Sequence, residues 1–247
     1  MATPEGPPDP AFPAAWIPPH DVRWALEQAL SRSFPAGSTI CAPARPAAGM
    51  YLLRTGTVRI GLDDFHGGTE HFLTLACENW LIGDPGPLFG QRPVPLIVTC
   101  VTACEAAYWP YSRLERMLRD RPVLAAALVY HTAATLRLAF RRLEVLMRPC
   151  SRLRVMDALL LLYQVFGQRD EPAGSCVTLP LTQGALGAFA NVSRVTVNRV
   201  LSELRRQGIV ATRSRMLYVR RPEKLETLFQ EEVAALGHRG CTPLDGP

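Results

Sequence analysis

The chain has 247 residues, enough to bury a sizeable core in one or two domains, and 48% apolar with 20% charged residues is the composition of an ordinary globular protein. No stretch approaches the roughly 20 unbroken apolar residues of a membrane span, and the opening MATPEGPPDPAFPAAW lacks the basic and apolar regions of a secretory signal; a cytoplasmic protein without a membrane partner is expected. The net charge of +5 is unevenly spread: Asn191 to Arg221 holds eight arginines and one glutamate, whereas Gly61 to Asp84 carries only acidic charge, so a polyanion partner is expected for the C-terminal part alone.

Residues 1–20 are proline-rich and read as a disordered tail, followed by a short helix over Asp21–Ser31 with Val22, Ala25, Leu26, Ala29 and Leu30 at helical spacing. From Ser38 to Trp109 short strand-like runs alternate with turns. Met50–Arg54 and Thr57–Leu62 flank Thr55-Gly56, Glu70–Cys77 follows a turn at Phe65-His66-Gly67-Gly68, and Leu96–Cys104 is rich in β-branched residues. That texture predicts an all-β sandwich or roll. The seven cysteines form no CxxC pair, and their odd number argues against a disulfide framework.

Pro122–Arg148 is helical. Ala126, Val129, Ala133, Leu136, Phe140, Leu143 and Met147 recur at alternating steps of three and four, a coiled-coil seam that predicts a homodimer; Leu124, Leu128, Leu138 and Val145 form a second apolar line for packing on the β-domain. One helix buried inside a monomer is the alternative. Pro149-Cys150-Ser151 breaks this helix and another restarts at Arg152–Phe166.

The strongest signal is Leu181–Arg221. Thr182 can cap a helix Gln183–Ala190, Asn191-Val192 supplies a tight turn, and Ser193 caps a second helix that runs to Gln207 with Gly208 as its stop. Two short helices so joined make a helix-turn-helix, and Ile209–Thr212, Arg213-Ser214-Arg215 and Met216–Val219 read as a β-hairpin wing. The second helix runs through the apolar Val195, Val197, Val200, Leu201 and Leu204 and exposes Ser193, Arg194, Thr196, Asn198, Arg199 and Ser202. With Val195, with Thr182 and Gln183 on the first helix and with Arg213 and Arg215 on the wing, all of these exposed residues but Ser202 are the candidate contacts to double-stranded, palindromic DNA. Arg199 suits a two-pronged bond to guanine, worth about 1–3 kcal/mol of discrimination. Ser193, Thr196 and the helix N-terminus suit phosphates, which position without specifying.

The stretch LTQGALGAFANVSRVTVNRVLSELRRQGIV resembles the helix-turn-helix of the CRP/FNR superfamily of bacterial transcription regulators. YLLRTGTVRI, LIGDPGPLF and VTACEAAYWPYSRLERML are similar to its β-roll segments, so that the resemblance covers roughly residues 34–230. Among subgroups it looks most like the halorespiration regulators (CprK-like). The resemblance implies an α+β fold: a sensory, jelly-roll-like antiparallel β-roll over residues 21–121, a long dimerisation helix over 122–148, a winged helix-turn-helix over 149–236 and a disordered tail over 237–247. It also implies RNA polymerase as a partner, and a small-molecule effector between roll and helix, contacting Gly83, Asp84, Tyr130, His131 and Thr135.

The departures are informative. Val195 stands where many members carry a glutamate that reads bases, and a valine packs instead on a thymine methyl, so a half-site richer in A·T than that of the cyclic-AMP receptor is expected. Val94-Pro95 stands near the place of the arginine-serine pair that holds a cyclic phosphate, and Arg92 is set off by Pro93; burial of that charge without a cation argues against cyclic AMP. The N-terminal cysteine cluster of the iron–sulfur branch is absent, and Cys100 and Cys104, expected on one strand face with Cys77 near, read as core. A haem- or redox-sensing regulator of the same architecture stays open as the alternative, with His71, Cys77, His131 and Met50 as axial-ligand candidates. No phosphate loop, nucleophile elbow or zinc motif is present, and His66 and His71 are the one near histidine pair, so neither an enzyme nor a bound metal is expected.

Overall fold

A computed structural model of the protein describes residues 17–63, 70–166, 169–170, 176–179, 182–213 and 216–238. The Phe65-His66-Gly67-Gly68 turn, Ser214-Arg215 and residues 1–16 and 239–247 of the expected tails lie outside them. The chain forms two compact units, residues 8–137 and the chain from Leu138 onward, which divide inside the long helix and not at its ends.

The first unit opens with α1 (Pro19–Glu27). Pro19 suits a helix start, where its missing N–H costs nothing. Ile17 is only 2% exposed, so order begins before the expected boundary at residue 20. The helix also stops short of Ser31: β1 (Leu30–Phe34) instead pairs antiparallel with β8 (Cys104–Pro110), Leu30 opposite Tyr108, and this long-range pairing overrides the local helical spacing. Between them run β2 (Thr39–Cys41), β3 (Gly49–Thr55), β4 (Val58–Asp63), β5 (Glu70–Ala76), β6 (Leu81–Ile82), a 3-10 turn (Gly86–Phe89) and β7 (Leu96–Cys100). They form two four-stranded antiparallel sheets in the orders β1-β8-β3-β6 and β2-β7-β4-β5.

The Thr55-Gly56 turn therefore carries the chain from one sheet to the other. Gly56 has φ +92°, and a Cβ there would lie 2.4 Å from the Ala103 carbonyl oxygen, so the crossing admits no side chain. The run expected at Leu96–Cys104 likewise splits at Val101–Ala103 into strands of different sheets. The two crossings are tied together: Thr57 N–H donates to Thr102 Oγ1 (2.9 Å) and Val101 N–H donates to Thr57 O (2.8 Å).

On β3, Met50 and Leu52 face a core built with α1, α2 (Tyr111–Asp120) and the start of α3 (Val123–Met147). Trp109 Nε1–H donates to Ala25 O (2.8 Å), pinning α1 to β8, and the Asp21–Arg121 ion pair ties α1 to the end of α2. Along α3, Leu124, Ala127, His131, Ala134 and Val145 are buried, whereas Val129, Leu136, Phe140, Leu143 and Met147 are exposed.

The second unit contains α4 (Ser151–Phe166), β9 (Arg169–Asp170), β10 (Cys176–Leu179), α5 (Gln183–Ala190), α6 (Arg194–Arg206), β11 (Val210–Arg213), β12 (Met216–Val219) and α7 (Pro222–His238). The wing strands β11 and β12 pair from Val210↔Val219 to Arg213↔Met216, and β10 and β9 extend them to a four-stranded sheet. α7 runs to His238, two residues past the expected start of the tail at 237. Asp157 on α4 is 1% exposed and is held by Arg148 Nε (2.5 Å) and Arg141 (3.5 Å) from the last turns of α3. Arg142 lies over the Phe189 ring (5.4 Å) and Arg148 over that of Phe229 (5.1 Å), so the end of α3 is built into this unit through its arginines.

Asp157→Asn keeps the volume of this buried group and removes its charge. The second unit should lose about 2 kcal/mol, read as a lower urea midpoint of its transition at unchanged slope.

Candidate functional site

α5 and α6 are set by local chemistry at their ends. The Thr182 hydroxyl accepts from Ala185 N–H (3.1 Å), and α5 ends where Asn191 turns left-handed (φ 50°). Ser193 Oγ then accepts from Thr196 N–H (3.2 Å) and starts α6. Val192 N–H donates to Gly187 O (2.9 Å), and a Cβ on Gly187 would meet Val192 O at 2.9 Å; only a residue without a side chain lets the two helices come this close.

The inner face of α6 is Val197, Val200, Leu201 and Leu204, all buried. Its outer face carries Ser193, Arg194, Val195, Arg199 and Ser202 exposed, with Thr196 and Asn198 half-buried. Val195 is 78% exposed in the first turn of α6, a position at which the free chain gives a valine nothing to pack on. Thr182 is exposed and Gln183 half-buried at the start of α5. Arg213 ends β11, but its side chain, like the whole of Arg215, lies outside the described residues.

Two arrangements here give no signal in the sequence. Glu203, the one acid between Asn191 and Arg221, is paired with Arg152 of α4, which also binds Glu232 (2.6 Å), so the outer face of α6 keeps its positive charge. Arg154 donates to Asn191 O (3.3 Å) and ties α4 to the turn between the helices. Neither α5 nor α6 has an acid in its first turn, which leaves both helix N-termini open to anions.

In the β-roll, Gly83 and Asp84 line a small pocket with Cys41, Ala42, Pro46, Ala47, Pro93, Val94, Leu96 and Tyr111. The Asp84 carboxylate is spent on the loop itself, accepting from Gly86 N–H and Val94 N–H (2.8 Å each). The Tyr111 hydroxyl donates to Asp84 O (2.7 Å); burial and the Asp84 charge push its pKa up to about 12, so it stays a neutral donor. Among the described residues the lining contains no cation, and the exposed Arg92 is not part of it.

The five residues expected to share an effector site are not brought together. Tyr130, His131 and Thr135 do not line this pocket: His131 is buried, Tyr130 half-buried and Thr135 exposed on α3. Cys100 and Cys104 also depart from expectation, standing on β7 and β8 in different sheets, and the Cys104 thiol donates to Thr57 O (3.5 Å) and Thr102 O (3.3 Å). Burial pushes the Cys104 and Cys41 thiols up to about 11, so at neutral pH both are neutral thiols in this structure. Among the described residues no three His, Cys, Asp or Glu side chains are grouped to hold a metal ion.

Residues 153–228 match the family model of the Crp-like helix-turn-helix domain, and residues 31–121 that of the cyclic nucleotide-binding domain. The chain is 28% identical over 197 residues to the global nitrogen regulator of Synechococcus elongatus, covering 79% of this chain and 88% of that one. It is 27% identical over 209 residues to the CRP-like cAMP-activated global transcriptional regulator of Mycobacterium tuberculosis, covering 85% and 92%. A solved CRP/FNR-family transcriptional regulator from Thermus thermophilus superposes with a TM-score of 0.64 at 26% identity, over 81% of this chain and 98% of that one.

Gly187→Val forces α5 and α6 apart. It should lower affinity for any duplex at least about tenfold in fluorescence anisotropy, while near-ultraviolet circular dichroism keeps the signal of a folded protein.

Proposed function

The chain belongs to the CRP/FNR family of bacterial transcription regulators, which are DNA-binding proteins and not enzymes, and from that premise we propose a homodimer that reads a palindromic operator under the control of a small effector. The observation that carries the dimer is the outer stripe of α3. Of nine large apolar side chains left exposed among the described residues, five (Val129, Leu136, Phe140, Leu143 and Met147) lie on that one helix at coiled-coil spacing, and the exposed Ala133 continues the line. By length and composition α3 is also apolar enough to cross a membrane, but its other face packs Leu124 and Ala127 into the core of the roll, which favours a partner helix over lipid.

A second copy across this stripe supplies the two-fold symmetry that a palindrome mirrors. Each subunit offers α6 to the major groove, with Arg199 for guanine, Val195 for a thymine methyl, and Ser193, Arg194, Thr196 and Asn198 beside them; Thr182, Gln183, Arg213 and Arg215 complete the proposed contacts. The regulator acts in the cytoplasm, where its operator lies.

Effector control works through the roll pocket around Gly83 and Asp84. A lining without a cation favours an uncharged organic effector over a cyclic nucleotide. Tyr130, His131 and Thr135 do not line that pocket; they are proposed to relay its occupancy along α3 and not to touch the effector, since Tyr130 follows Val129 and Thr135 precedes Leu136 of the stripe. Binding there shifts the equilibrium only so far as the effector prefers one state of the helix pair.

Leu136→Glu with Phe140→Glu places four like charges in the seam of the dimer. Sedimentation equilibrium should give a monomer, and affinity for a palindromic duplex should fall at least about 100-fold while affinity for a single half-site is kept; a dimer at unchanged affinity contradicts the assignment. Arg199→Ala should erase discrimination at one base pair and leave much of the salt-dependent nonspecific affinity, whereas equal loss on all sequences contradicts base reading by Arg199.

A further inference from the structure

The first unit holds a second cavity, which shares no lining residue with the roll pocket. It is bounded by Val22, Ala25 and Leu26 of α1, by Met50, Leu52, Leu81 and Trp109 of the β1-β8-β3-β6 sheet, by α2, and by Leu124, Ala127 and Leu128 of α3, with a volume of ≈ 40 Å³. The polar atom of its lining side chains is Trp109 Nε1, whose N–H is already given to Ala25 O. The space opens partly to solvent, but a water in it needs two to four polar partners and its wall offers none free, so an apolar molecule displaces such water at little cost. Met50 and Met117 in the wall are unbranched and repack readily around an occupant.

We propose that this cavity is a binding site for an uncharged apolar molecule of a few heavy atoms, such as a short hydrocarbon or an apolar gas. Charged and hydrogen-bonding molecules are excluded, because nothing in the wall can replace their water. With so few atoms in contact the affinity lies in the millimolar range. The occupant touches α3 on the face opposite its exposed stripe, through Leu124, Ala127 and Leu128. Resting on the dimeric, DNA-reading function proposed above, that contact makes the cavity a second effector site.

The test uses the full chain, with its six methionines labelled with carbon-13 in the methyl group, under increasing xenon pressure. The Met50 and Met117 signals should shift and saturate, while Met156, fully buried in the other unit, moves only with the linear effect of pressure. Ala127→Leu, which fills the cavity, should abolish the saturable shift; if that variant does not fold, Ala25→Val takes its place. Linear shifts of Met50 and Met117 equal to those of Met156 overturn the site. Fluorescence anisotropy on duplex DNA in the same pressure cell reads the second claim, with at least a threefold change in affinity expected at saturation. Saturable binding with no change in affinity overturns the effector role and keeps the site, whereas no affinity for any duplex overturns the DNA-reading function and is visible without xenon.

Discussion

A helix of 25 residues with apolar side chains on two opposite faces can cover only one of them with its own chain. In α3 the inner face is taken by the roll at one end, through Leu124 and Ala127, and by the second unit at the other, through Val145 and the arginines that reach Asp157, Phe189 and Phe229. The outer face is left. Burying a Val, Leu, Phe or Met side chain is worth about 1.5–3 kcal/mol, and several such residues on each copy are more than a soluble surface keeps without use. The proposed dimer, the spacing of its two α6 helices and its reading of a palindrome all depend on how that face is satisfied.

Electrostatics then decides what the DNA-reading head can hold. Asp157, Glu203 and Glu232 all face arginines within the second unit, so these three acids are neutralised by ion pairs and not presented singly to a polyanion. Arg194 and Arg199 stay outside with helix N-termini bare of acids. Such a surface binds duplex DNA by releasing counterions, whatever the sequence, and the few side chains that reach base edges add the discrimination. In the roll the balance is opposite: Asp84 is consumed by backbone amides, and among the described residues that line its pocket there is no cation.

What could be read from the residues alone follows the range of the forces involved. The caps Thr182 and Ser193, the left-handed Asn191 and the buried line Val197, Val200, Leu201 and Leu204 are local features, and α5, α6 and the wing were legible to within a residue or two. The phase of α3 was legible for the same reason. Pairing was not. Gly56 reads as a turn, but that it joins two sheets depends on Ala103 pressing on it from a distant part of the chain. β10 at Cys176–Leu179 exists by its register with β12, Val177 opposite Val219, which no neighbouring residue signals. The grouping of Tyr130, His131 and Thr135 with Gly83 and Asp84 rests on resemblance alone, and none of the three lines the pocket that Gly83 and Asp84 share.

The most direct measurement of the central claim is selection of binding sites by the full-length protein from a library of random duplexes. A dimer joined along α3 with α6 in the groove predicts an inverted repeat, half-site centres about one helical turn (roughly 34–36 Å) apart, with A·T pairs beneath Val195. Enrichment of a single unrepeated half-site, or of no sequence at all, would contradict it.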